Sequence, residues 1–252
     1  MMKSEITLNN VSLNFPIYDA QSLSIRNKMC DIGNIISTRS KTNISKSGTI
    51  IRALNNISLK FNHGDKVAII GSNGSGKTTL LKLIAGIYHP TSGIKNVKGE
   101  LSCMLDIGFG FEPDATGYEN IILSNITRGL RKDTIDKLLP EIAEFSGLGE
   151  FLHMPYRTYS SGMQARLAFA SAIANTPGIL LIDEFFSTGD IDFSIKSKNK
   201  ILEMMGNSSI LLFASHDLDM LDNICNKAIC MKNGEISFSG NTKDAINYYR
   251  NL

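Results

Sequence analysis

Apolar and polar residues alternate over positions 6–15, a period of two that predicts a strand with one buried face. A second alternating run, 54–61, ends at the turn Asn62-His63-Gly64-Asp65. Further on the pattern becomes short continuous apolar runs at 67–70, 179–182, 210–214 and 228–231. Such runs suit strands covered on both faces. Shorter strands are expected near 94–97, 101–105 and 235–239. Helical spacing marks 79–85, closed by Gly86 and Pro90, and most of 117–147, with Pro140 near the start of a second or third helix. It returns at 161–175, with apolar Leu167, Phe169, Ala170 and Ile173, and at 242–249. Strands alternating with helices predict an α/β fold around a mainly parallel central sheet.

Residues 20–52 break this order. Ser, Asn, Thr, Lys and Ile dominate, and the six basic residues Arg26, Lys28, Arg39, Lys41, Lys46 and Arg52 face one acid, Asp31. Two readings stand: a solvated insertion loop, or a basic segment near anionic lipid head groups.

Composition adds mainly exclusions. The 252 residues are 42% hydrophobic and 20% charged, enough for one large α/β domain with a full core. A net charge of +2 makes no electrostatic case for nucleic acid, and none is expected as a partner. Cys30, Cys103, Cys225 and Cys230 form no C-x-x-C pair and read as buried thiols of a reducing compartment. The N-terminal residues lack an apolar signal region, and no apolar run approaches the roughly 18–20 residues of a membrane span. A cytosolic chain is expected, reaching any membrane through a partner.

The chemistry begins at Gly71-Ser72-Asn73-Gly74-Ser75-Gly76-Lys77-Thr78, which fits the phosphate-binding loop G-x-x-x-x-G-K-[ST]. It follows an apolar strand pattern and opens a helical one through Thr79, the context that the motif requires. Backbone N–H groups freed by the glycines can close on phosphate oxygens, aided by the helix N-terminus. Lys77 can reach the β/γ-phosphates, and the Thr78 hydroxyl can ligate Mg²⁺. The strand at 179–182 ends in Asp183-Glu184. Asp183 suits the Mg²⁺ shell, and Glu184 can act on a water aimed at the γ-phosphate. Between these two motifs, Tyr159-Ser160-Ser161-Gly162-Met163-Gln164 opens a helix whose hydroxyl and free N–H groups suit an anion.

This ordered set resembles the ATP-binding cassette (ABC) family, whose signature is typically L-S-G-G-Q. Ser160 and Gly162 match it; Tyr159, Ser161 and Met163 depart. The resemblance implies an antiparallel β subdomain at 5–61 carrying the insertion 20–52. It also implies a phosphate-loop core at 62–105 and 176–252, and a helical signature subdomain at 106–175. It implies a head-to-tail homodimer in which Ser160, Ser161 and Gly162 of one copy cover ATP held by the other. Asp190, in Ser187-Thr188-Gly189-Asp190, matches the loop crossing that interface, and His216 matches the switch histidine that contacts the γ-phosphate and positions Glu184. Phe15 matches the aromatic that stacks on adenine, with Tyr18 as competitor.

A narrower resemblance is to ATPase subunits exporting O-antigen, capsular polysaccharide or teichoic acid. It rests on residues 105–121, on Tyr159-Ser160-Ser161-Gly162-Met163 with Ala165-Arg166-Leu167-Ala168-Phe169, and on residues 183–190 with Phe193 and Lys196. It implies ATP hydrolysis with Mg²⁺, two copies of an integral-membrane permease as partners, and a peripheral place on the cytoplasmic face of a bacterial inner membrane. A drug exporter, an importer or a soluble ATPase acting on DNA or ribosomes are the alternatives. The Gln that usually links Mg²⁺ to the transporter-contacting loop is missing near Ile107, leaving Asp106 as a water-mediated candidate. Phe109 and Phe111 read either as core or as the socket for a permease helix, with residues 117–131 flanking the glycan entrance. No C-terminal glycan-binding domain is expected after Thr242–Tyr249, and export independent of glycan-cap recognition by this subunit is expected with it.

Overall fold

A computed structural model describes residues 4–17, 49–105, 108–175, 178–183 and 191–252. Two long strands, β1 (Glu5–Ile17) and β2 (Thr49–Asn62), precede β3 (Lys66–Ile70), helix α1 (Lys77–Ile84), β4 (Ser92–Lys98) and β5 (Leu101–Met104). Helices α2 (Gly117–Thr127), α3 (Lys132–Ser146) and α4 (Ser161–Ala172) follow, with short 3-10 turns at Gly149–His153 and Tyr156–Thr158. The remaining elements are β6 (Ile179–Asp183), α5 (Ile191–Asn207), β7 (Ile210–Ala214), α6 (Leu218–Ile224), β8 (Lys227–Lys232), β9 (Glu235–Asn241) and α7 (Thr242–Arg250).

Two sheets result. One is antiparallel in the order β2-β1-β4; the other runs β5-β6-β7-β3-β8-β9. Within the second, every pairing is parallel except β8 with β9. That hairpin turns at Asn233-Gly234, both at positive φ (51° and 77°), the backbone a two-residue type I′ turn needs. Two expectations shift here. The segment 62–105 is divided between the sheets, because β4 pairs with β1. Residues 49–52, expected in the insertion, are strand: Ile50 and Ile51 pair with Pro16 and Phe15.

The continuous apolar runs are explained by the two faces they cover. In β3, Val67 and Ile69 enter the core between the sheets, while Ala68 and Ile70 enter the core on the far face. β6 and β7 divide in the same way, with Leu181 and Leu212 on one side and Leu180 and Phe213 on the other. Helix α1 buries Leu80, Leu81, Leu83 and Ile84 in the first core. At the start of β3, Lys66 Nζ donates to the carbonyls of Met205 and Gly206 in the last turn of α5 and of Ser208 just past it, and burial holds its pKa below the usual lysine value. Cys225 and Cys230 are buried thiols pushed up to about 12 and about 11, so neither is a ready nucleophile.

Helices α2, α3 and α4 make a third core around Ile121, Ile142, Leu152, Tyr159 and Leu167. Pro140 lies inside α3 rather than near a helix start. Its side is exposed, so water can serve the carbonyl that loses its N–H donor, while Ile135 and Ile142 anchor the helix on either side of it. Thr116 and Glu119 form a reciprocal capping box at α2. Asn120, with no exposed surface, staples the preceding loop. Its Oδ1 accepts from Glu112 N at 2.6 Å, and its Nδ2 donates to the carbonyls of Glu112, Ala115 and Thr116 at 2.9–3.1 Å. Asn120→Ala leaves these backbone groups without their partner, so a loss of about 2 kcal/mol in unfolding free energy is expected. Urea denaturation checks it: the midpoint should fall at unchanged slope.

Candidate functional site

The phosphate loop spans the end of β3 and the first turn of α1. Gly76 is the N-cap of α1 at φ 107°, a left-handed backbone closed to most side chains. No side chain caps this helix, so its first N–H groups stay available to an anion. Gly71 is required for space, since a Cβ there would meet Ser75 Oγ at 2.5 Å and the Met231 carbonyl at 2.6 Å. Lys77 is 7% exposed, and its Nζ donates to the carbonyls of Gly71 (2.7 Å) and Ser72 (3.2 Å). The ammonium therefore lies inside the curl of the loop. Ser75 Oγ is buried with no hydrogen-bond partner among the described residues, an orphaned polar atom inside the same curl. The loop is pinned from behind: Gly234 N donates to Ser75 O, and Asn55 N to Gly234 O.

A cavity of about 710 Å³ lies against this loop, within the range of small-molecule sites. Its lining includes Asn73, Gly74, Gly76, Lys77, Thr78 and Thr79. Asp183 and His216 line it too, each delivered by the C-terminal end of a parallel strand, where ligands of open α/β sheets bind. Thr78 Oγ1 donates to Asp183 Oδ2, so a hydroxyl and a carboxylate oxygen converge on one point. That pair suits a hard cation such as Mg²⁺, which takes oxygen ligands. His216 sits between β7 and α6, in a turn fixed by Asp217: its N–H donates to Ser215 Oγ, and its carboxylate accepts from Met220 N.

Several expected residues fall elsewhere. Asp106, Tyr18, Glu184 and Asp190 lie outside the described residues. Ser160, Ser161 and Gly162 are exposed at the start of α4 and do not line the cavity. Ser160 caps that helix by accepting from Met163 N at 3.3 Å. Phe15 does not line the cavity either. It continues the core-facing series Ile6, Leu8, Val11 and Leu13 and packs edge-on against Tyr88 at 5.2 Å. Tyr159 is buried, and its hydroxyl donates to the Phe151 carbonyl. Phe111 belongs to the helical core, whereas Phe109 is 57% exposed.

The sequence reading missed Ile51, Arg52, Ala53, Leu105, Asn233 and Gly234, all of which line the cavity. An Asn-Gly pair is a strong turn signal and could have been read. Ile51 and Arg52 were hidden by the polar composition around them.

Fold and loop define the class: a nucleotide-binding domain built on a phosphate loop between strand and helix. The family model described as ABC transporter matches residues 54–187. The chain is 40% identical to the O-antigen export system ATP-binding protein RfbE of Yersinia enterocolitica, over 92% of this chain and 96% of that protein. It is 34% identical to an O-antigen export system ATP-binding protein RfbB of Klebsiella pneumoniae, over 99% of this chain and 98% of that one. The teichoic acids export ATP-binding protein TagH of Bacillus anthracis is 39% identical over 81% of this chain, which spans 37% of that protein's length. The dimeric ATP-binding cassette MJ0796 with ADP and Pi shares the fold, at a TM-score of 0.63 and 22% identity over 94% of this chain and 98% of that one. This chain belongs to the ABC transporter family, as an ATP-binding cassette.

Proposed function

We propose that this chain binds and hydrolyses ATP as a subunit of a transporter that exports lipid-linked polysaccharide, of the O-antigen, capsule or teichoic acid kind. The observation that carries the reading is the end-to-end similarity to O-antigen export ATP-binding proteins, which spans almost all of both chains. In this chain, Lys77 and the uncapped start of α1 hold the triphosphate. Thr78 and Asp183 would hold Mg²⁺, which when bound neutralises charge on the phosphate oxygens. Glu184 orients the attacking water and accepts its proton, and His216 holds the γ-phosphate in register. Ser160, Ser161 and Gly162 meet the triphosphate of a second copy, which fits their exposure away from their own cavity.

Among the described residues no helix is long and apolar enough to cross a membrane. In this reading a permease partner carries the membrane passage. Phe109, Leu123 and Ile126 are 57%, 40% and 49% exposed, and the last two lie on one face of α2. This apolar patch is the proposed seat of the permease's cytoplasmic helix. Deleting the gene in its host tests the cargo: lipid-linked polysaccharide should accumulate inside the cell, and unchanged surface glycan would remove the export assignment.

A further inference from the structure

The exposed Ser160 end of α4 belongs to the helical part of the molecule, while Lys77, Thr78, Asp183 and His216 are carried by the central sheet. Helices α3 and α4 meet α5, which follows β6 in the chain, through three rings. Phe145 of α3, Phe169 of α4 and Phe193 of α5 form a closed triangle, with centroids 6.3, 5.7 and 5.8 Å apart. Phe145 packs against both the helical core and the core on the far face of the central sheet. Two cations lie crosswise over the rings. From α4, the Arg166 guanidinium sits 5.4 Å from the Phe193 centroid. From α5, Lys196 Nζ sits 4.3 Å from the Phe145 centroid and 3.5 Å from the Phe145 carbonyl oxygen. One turn further along α5, Lys200 pairs with Glu141 of α3 at 3.8 Å. Arg166, Phe169, Phe193 and Lys196 all lie in the stretches that carry the polysaccharide-export resemblance, yet none of them lines the cavity.

We propose that Lys196, seated on the Phe145 ring, is a positioning residue for ATP hydrolysis. The pair ties α3, and through the ring triangle α4, to α5, and so holds the Ser160 end of α4 where the triphosphate of a second copy needs it. The lever is short: Arg166 lies about 9 Å along α4 from the Ser160 cap. Rings alone would be ordinary packing, tolerant of small slides. An ammonium is attracted to a ring face only within about 6 Å of its centroid, so a slide of α3 against α5 by a few ångström forfeits the contact. Lys196 itself is exposed and touches neither nucleotide nor metal; it acts through Phe145. The inference rests on the reading in which Ser160 serves a second copy, and assigns a residue that sets its place.

Sedimentation of the full chain in the Glu184→Gln background, with saturating ATP, tests it beside ATP titration at chain concentrations too low for dimers. Lys196→Met keeps the aliphatic stem and removes the charge. It should leave the ATP affinity of the single chain within about twofold and lower the aligned fraction about threefold, the scale of an exposed cation–π contact. Each dimer uses the alignment twice, so its association constant should fall by the square of that factor, about tenfold. Lys196→Arg restores a cation over the ring and should stay within about twofold of the parent dimer. Phe145→Leu, which keeps apolar volume without the ring, should weaken the dimer, and adding Lys196→Met to it should change little more. A general loss of fold would lower single-chain affinity as well and would not be rescued by arginine. A Lys196→Met chain that dimerises like its parent would overturn the assignment. So would a further tenfold loss on adding Lys196→Met to Phe145→Leu, since the ammonium would then act elsewhere. In both cases the parent still dimerises and the two-copy reading stands. If the parent itself stays monomeric at saturating ATP, the two-copy reading fails and the positioning role goes with it.

Discussion

Lys77→Ala is expected to weaken ATP binding by about 10²-fold or more, because it removes a buried cation and its charge-assisted hydrogen bonds to phosphate. The ammonium already lies inside the loop, bonded to the carbonyls of Gly71 and Ser72, so little reorganisation separates its present place from a phosphate contact. Part of the effect is local: the two carbonyls lose a donor. Titration calorimetry with ATP and far-UV circular dichroism on the same sample separate the two, because the sheets and their cores lie outside the loop. Wild-type affinity in a folded Lys77→Ala protein would end the phosphate-loop assignment.

Glu184→Gln is expected to lower kcat by about 10²-fold or more while leaving ATP affinity within about twofold. The amide keeps the shape of the carboxylate but cannot accept a proton from water. Its neighbour Asp183 stays bonded to Thr78, so the triphosphate and metal ligands are undisturbed. Steady-state hydrolysis together with equilibrium binding reads the two effects separately. A variant with unchanged kcat would take Glu184 out of the chemistry.

The sequence made the central sheet legible where burial on both faces writes a continuous apolar run, as in β3, β6, β7 and β8. It did not say which sheet β4 joins. Its pattern in the structure, with Ile94 exposed and paired to Asn9, is that of a strand seated by its partner rather than by its own hydrophobicity. Pro140 was misplaced for a similar reason: proline argues against a helix interior, and the anchors Ile135 and Ile142 outweigh it.

In the site, the loop from Asn73 to Thr79 was legible because its glycines and lysine have few other uses at that spacing. Asp183 and His216 were legible as polar residues ending apolar strands, and both line the cavity. The part of the cavity wall supplied by β2 was not. Phe15, expected to stack on adenine, packs partly buried against Tyr88 and the core beside Leu13 and Val11. Arg52 sits at the edge of a run of basic residues that reads as solvated surface until β2 carries it into the cavity wall.

We propose that the cavity is half a site and that the exposed Ser160 end of α4 completes it on a second copy. Sedimentation of the Glu184→Gln protein with and without saturating ATP measures this most directly. Monomers are expected without nucleotide, dimers holding one ATP per chain with it, and loss of the dimer when Ser160→Arg places a long cation at the cap. Monomers at saturating ATP, or dimers indifferent to Ser160→Arg, would contradict it.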